Sequence, residues 1–71
     1  MPHLPKAREA IKIAQNLGFY FVRQRGSHKI YRHSDGRRIT IPVHSGKELS
    51  PGVFGQILKD LDITPKEFWK L

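Results

Sequence analysis

The chain has 71 residues, no cysteine, and 13 Lys and Arg against 6 Asp and Glu, a formal charge of +7 with four His uncounted. At this length one small domain, residues 1–71, is the ceiling, because so short a chain buries only about 60% of the surface its unfolded form exposes; a doubly wound nucleotide-binding enzyme and a barrel are excluded. Disulfides and thiolate zinc sites are excluded too, no apolar run approaches the ~20 residues that span a bilayer, and Met-Pro-His-Leu-Pro-Lys has no signal-peptide core, so the expectation is a soluble, cytoplasmic protein.

Residues 6–17 read as a helix. Ala7, Ala10, Ile11, Ala14 and Leu17 recur at intervals of three and four, which makes one apolar stripe. Pro5 suits the entrance and Gly18 the left-handed position after the last turn. Phe19 to Gln24 is aromatic and β-branched and reads as a strand. Gly26-Ser27 is a turn, and His28 to His33 a second strand. Ser34-Asp35-Gly36-Arg37 is a hairpin turn in which Gly takes a positive φ cheaply. Arg38 to Val43 is a third strand, and Pro42 places it at a sheet edge. Residues 44–49 form a loop. Ser50-Pro51 is an N-cap with proline at the first helical position, opening a helix to about Leu61 with Val53, Ile57, Leu58 and Leu61 buried. Thr64-Pro65-Lys66-Glu67 is a capping box with Ile63 and Phe68 as its staple, and starts a short last helix. The class is α+β: α-β-β-β-α, a three-stranded antiparallel sheet with helices on one face, resembling the double-stranded-RNA-binding architecture.

The charge points to a polyanionic partner, most simply nucleic acid. Arg23, Arg25, Lys29, Arg32, Arg37 and Arg38 cluster in the strand region, where Asp35 is the only acid between positions 23 and 38. A purely solubilising surface would disperse its charges. Arg37 and Arg38 stand at the hairpin tip and are expected to be solvated phosphate contacts.

A four-residue loop at 34–37 pairs His33 with Arg38. Ile30 then faces Ile41, Arg32 faces Ile39, and His28 faces Val43. Opposed residues share a face, so His28 is expected at the margin of the core face, with His44 one residue past its partner. Partial burial and the cations Arg25, Lys29 and Lys47 would disfavour its charged form, and an imidazole titrating near neutrality can carry a proton in catalysis. A structural histidine capping the turn fits the same placement. Two His across a hairpin end fall short of the three or four ligands of a zinc site, so no metal and no cofactor is assigned. Tyr20, Phe21 and Tyr31 invite base stacking; Phe19 or Phe21 goes to the core, and Tyr31 is left on the open face with Lys29 and Thr40.

Gly18-Phe19, Val22-Arg23-Gln24-Arg25-Gly26-Ser27-His28, Ile30-Tyr31-Arg32 and the run from Pro42-Val43-His44-Ser45-Gly46-Lys47 to Gly52 together resemble the HicA family of bacterial and archaeal toxins. The resemblance implies a double-stranded-RNA-binding-like fold and a ribosome-independent mRNA interferase, an endoribonuclease that inhibits translation. It also implies a HicB antitoxin that occludes the active site. It makes the Gly-Ser-His histidine, His28, catalytic. Around it, RNA-binding roles fall to Arg23, Arg25, Lys29, Arg32, Arg37, Arg38 and Lys47, with Ser27 and His44 as auxiliaries. The Met-Pro-His-Leu-Pro stretch exceeds the shortest members and receives no role. Two other readings share these residues: a non-catalytic double-stranded-RNA binder of the same fold, and an interaction protein whose basic face serves only an acidic antitoxin.

Overall fold

The computed structural model describes residues 4–71; Met1 to His3, part of the N-terminal stretch discussed above, lie outside the described residues. The chain runs α1 (Ala7–Asn16), β1 (Tyr20–Arg25), β2 (His28–Arg32), β3 (Arg38–Pro42), α2 (Pro51–Leu61) and α3 (Pro65–Lys70). The sheet order is β1-β2-β3 and both pairings are antiparallel. β3 is an edge, as Pro42 requires. The two longer helices pack on β3, and the α+β arrangement with an open three-stranded sheet is the one expected.

Local chemistry accounts for the ends. Glu9 Oε1 accepts from the Lys6 backbone N–H at 2.9 Å, satisfying a donor at the start of α1. Gly18 has φ +96°, and the Phe19 N–H closes back on the Ala14 carbonyl at 2.9 Å. A Cβ at position 18 would sit 2.9 Å from His33 Nε2, so both the backbone and its neighbour demand glycine. Ser50 Oγ accepts from the Val53 N–H at 3.3 Å to cap α2. Thr64 and Glu67 form the expected reciprocal box at the start of α3, at 3.1 and 2.9 Å.

The core gathers Ala7, Ala10, Ile13 and Ala14 of α1, Phe19, Tyr31, Ile39 and Ile41 of the strand region, and Phe54, Ile57, Leu58 and Leu61 of α2, with Leu49 and Phe68. Ala10 and Ala14 are fully buried, which lets the α1 backbone approach its neighbours closely. Ile13, not Ile11, takes the deep position on α1; Ile11 and Leu17 sit half-buried at the stripe's margin. On α2 Phe54, not Val53, joins the buried stripe of Ile57, Leu58 and Leu61; its ring meets Phe68 edge-on at 5.0 Å, and Val53 is half-buried.

The β2–β3 register differs from the sequence expectation by one residue. His28 pairs with Pro42, Lys29 with Ile41, Ile30 with Thr40, Tyr31 with Ile39 and Arg32 with Arg38. The cause is the hairpin loop. His33 N–H donates to the Arg37 carbonyl at 2.9 Å and Gly36 N–H to the His33 carbonyl at 3.0 Å, with Gly36 at φ +97°. This is a three-residue loop ending in a left-handed glycine, a standard hairpin closure, where a four-residue loop was expected. A slip of one exchanges the faces. Tyr31, expected on the open face, is buried at 2% exposure, while Ile30, expected in the core, lies on the open face. His28 likewise leaves the core margin.

β1 carries a bulge at Val22, between the paired Phe21 and Arg23. Its main contacts are with β2, and every one of its residues is exposed. Phe19, just before the strand, is the aromatic that enters the core, and Phe21 stays half-exposed at the rim.

Candidate functional site

The corrected register defines the open face row by row, since cross-strand partners share a face. Tyr20, Arg32 and Arg38 make one row. Arg23, Ile30 and Thr40 make the next. Arg25, His28 and Pro42 make the last. Arg23, Arg25, Arg32 and Arg38 are all exposed. The sheet therefore presents four guanidinium groups around a half-buried Ile30, with His28 at the end of the central strand. Lys29 pairs with Gln24 and Ile41 and so belongs to the opposite face, away from these arginines.

The Gly26-Ser27 turn places His28. Gly26, at φ +60°, occupies the first central position of a two-residue hairpin, which aligns Arg25 directly across from His28. The Ser27 carbonyl accepts from the Val43 N–H at 2.7 Å. That bond prolongs the β2–β3 ladder and fixes the turn against the start of the 43–50 loop. The loop folds back, with Leu49 N–H donating to the Pro5 carbonyl at 2.8 Å and the backbones of Lys6 and Glu48 paired in an isolated antiparallel β-bridge.

The result is an open pocket of about 400 Å³ at the end of the sheet, lined by His28, Pro42, His44, Lys47, Glu48, Leu49, Ser50 and Val53. His28, His44 and Lys47, separated in sequence, share this cavity. Ser27 is not among its lining residues. Glu48 and Ser50 are, and the sequence reading missed both as site residues: Glu48 had no motif around it, and Ser50 was absorbed by its capping role. The N-terminus of α2 opens beside the cavity, and the positive end of a helix favours an anion there. Among the described residues no group of three or more His, Cys, Asp or Glu is gathered to hold a metal.

Arg37 corrects the expectation of a solvated pair at the hairpin tip. Its Nε donates to Asp35 Oδ2 at 2.8 Å, and its η nitrogen donates to the Leu61 carbonyl at 3.0 Å and the Asp60 carbonyl at 3.5 Å. Its guanidinium lies 5.1 Å from the Phe19 ring centre. It thus ties the hairpin to carbonyls at the C-terminal end of α2, where a cation is favoured. The hydrogen bond from the Arg37 backbone N–H, then that from its side chain, holds the Asp35 carboxyl below its usual range. Only Arg38 of the pair remains exposed on the open face. His33, not weighed in the sequence as a structural residue, is one. Its Nδ1 accepts from the Asp35 N–H at 3.1 Å, so in the neutral ring Nε2 carries the proton toward the Leu17 carbonyl, 3.1 Å away.

These features define a small α+β domain of the double-stranded-RNA-binding-like architecture whose uncovered sheet face is basic and ends in a two-histidine cavity. Residues 7–63 match the family model described as the HicA toxin of bacterial toxin–antitoxin systems, and the chain belongs to that family. No curated protein matches the chain. No helix among the described residues is long and apolar enough to cross a membrane.

Proposed function

We propose that this toxin is an endoribonuclease that works without a metal cofactor, cleaving mRNA with His28 and held in check by a HicB-type antitoxin. The observation that carries the reading is the juxtaposition of His28 with His44 and Lys47 in one cavity, at the end of a sheet face bearing Arg23, Arg25, Arg32 and Arg38. The arginines bind the RNA backbone and deliver a phosphate to the cavity. An RNA 2′-hydroxyl then attacks the adjacent phosphorus, its proton passing to an imidazole, while the P–O5′ bond breaks and the leaving oxygen takes a proton. His28 is the principal acid–base group and His44 the auxiliary that shares its cavity; one can accept as the other donates. Arg25, directly across from His28, and Lys47 stabilise the charge developing on phosphorus oxygens. Lys29, on the other face, is left a secondary role.

The products follow from this chemistry: a 2′,3′-cyclic phosphate on one fragment and a 5′-hydroxyl on the other. RNA incubated with the purified chain in EDTA should yield both ends. A 3′-hydroxyl with a 5′-phosphate, or cleavage abolished by EDTA, would reject the mechanism. Binding without cleavage would favour the non-catalytic RNA-binding module.

A further inference from the structure

We propose that Tyr20 is a base-stacking platform, which holds an unpaired nucleobase of the RNA while the phosphate to be cut lies at His28. The inference rests on the ribonuclease reading and adds to it a residue that positions substrate. Tyr20 is 54% exposed. Its cross-strand partners are Arg32 and, one strand further, Arg38, so its ring stands on the open face at the end of a row of two exposed arginines. Phe21, next along β1, lies on the other side, where its ring meets the buried Tyr31 edge-on at 5.7 Å. The base-stacking capacity that the sequence offered through Tyr31 is lost to the core, and among the described residues Tyr20 is the one Phe, Tyr or Trp that the strand pairing places on the open face.

The spacing fits a nucleic-acid strand. Arg32 stands at the opposite end of β2 from His28, and at ~3.3 Å per residue the two are about 13 Å apart along the strand. A nucleic-acid strand advances about 3.4 Å per nucleotide when stacked and more when extended, so Tyr20 receives a base roughly two to four nucleotides from the scissile phosphate. Between them lie Arg23 and Ile30, a cation and an apolar surface for the intervening backbone, with Arg32 beside Tyr20. A stacked base must expose its face, which a continuous duplex does not allow, so the contact selects unpaired RNA. Aromatic platforms combined with basic grooves are the general solution for single strands.

The test uses single-stranded 2′-O-methyl RNA, which cannot undergo 2′-hydroxyl attack, carrying 2-aminopurine at successive positions. The wild-type chain should quench the fluorescence. Tyr20→Phe should quench equally, since it keeps the ring. Tyr20→Ala should lose the quenching and bind on the order of tenfold to a hundredfold more weakly, with an unchanged salt slope because no phosphate contact is removed. On cleavable RNA, Tyr20→Ala should raise KM and leave kcat in place. Equal quenching and affinity in wild type and Tyr20→Ala would overturn the inference, as would a Tyr20→Phe protein as weak as Tyr20→Ala. Unchanged RNA binding with a lost antitoxin complex would assign Tyr20 to protein docking instead and overturn it too. Ring-dependent quenching by a chain that cuts no RNA would uphold Tyr20 as the platform and reject the ribonuclease reading, so the two failures are distinct.

Discussion

Arg37 and Arg38 are adjacent in sequence, yet the hairpin sends them to different tasks. Arg37 donates to Asp35 and to the carbonyls ending α2, whereas Arg38 is exposed in the row with Arg32 and Tyr20. Arg37→Gln should therefore cost about 1–2 kcal/mol of stability, the scale of one or two charge-assisted hydrogen bonds that are partly solvated. It should leave the salt dependence of RNA binding unchanged. Arg38→Gln should do the reverse: unaltered urea denaturation, and a log–log salt slope shallower by about 0.7, one phosphate's worth on a single strand. Urea titration and binding at several salt concentrations check both. A shallower slope in Arg37→Gln with intact stability would mean that its guanidinium is free for phosphate. The sequence made the two arginines equivalent because nothing local announces that Arg37 reaches across to α2.

At the scale of the elements, the helices and strands were legible because their signals are local. Ser50-Pro51, the Thr64–Glu67 box and Gly18 each mark an end through contacts made within a few residues. Strand register was not legible, because it hinges on whether Gly36 closes a three- or a four-residue loop. That single choice decides whether Tyr31 or Ile30 enters the core. Tyr31→Ala should cost on the order of 3–5 kcal/mol, the price of removing a large buried ring, while Ile30→Ala, half-buried on the open face, should cost much less. Equal losses on thermal denaturation would contradict the register. The α3 cap adds a pH dependence. The hydrogen bond from the Thr64 N–H, then that from its hydroxyl, lowers the Glu67 carboxyl below its ordinary 4.5. A lowered folded value means that the stabilisation is complete above the unfolded value and is lost as pH falls through the folded one. Trp69, on α3, should report this fraying in acid by its fluorescence, and Glu67→Gln should abolish the pH dependence. A variant that still frays over the same pH range would exclude the cap as its cause.

For the whole molecule, a charge of +7 with four arginines on one uncovered sheet face suits both an RNA substrate and an acidic antitoxin. Complementary charge speeds encounter and selects the partner more than it raises affinity. An antitoxin that occludes the site should lie over that face and slow carbethoxylation of His28 and His44, both exposed in the free chain; undiminished modification of both in the complex would indicate remote inhibition. The Gly-Ser-His turn was legible in the sequence, but the cavity beside His28 was not, because the 43–50 loop returns through a backbone bond to Pro5 and a β-bridge pairing of Glu48 with Lys6 that no motif encodes. The central claim is that His28 carries the proton transfers. Its exposure on the open face separates chemistry from folding, so His28→Ala can be compared with wild type on single-stranded RNA in EDTA, with thermal denaturation alongside. The variant should keep its melting temperature and RNA affinity and cleave ~10²–10⁴-fold more slowly, the usual contribution of general acid–base catalysis. Cleavage at the wild-type rate by the folded variant would contradict the account and move the chemistry to His44.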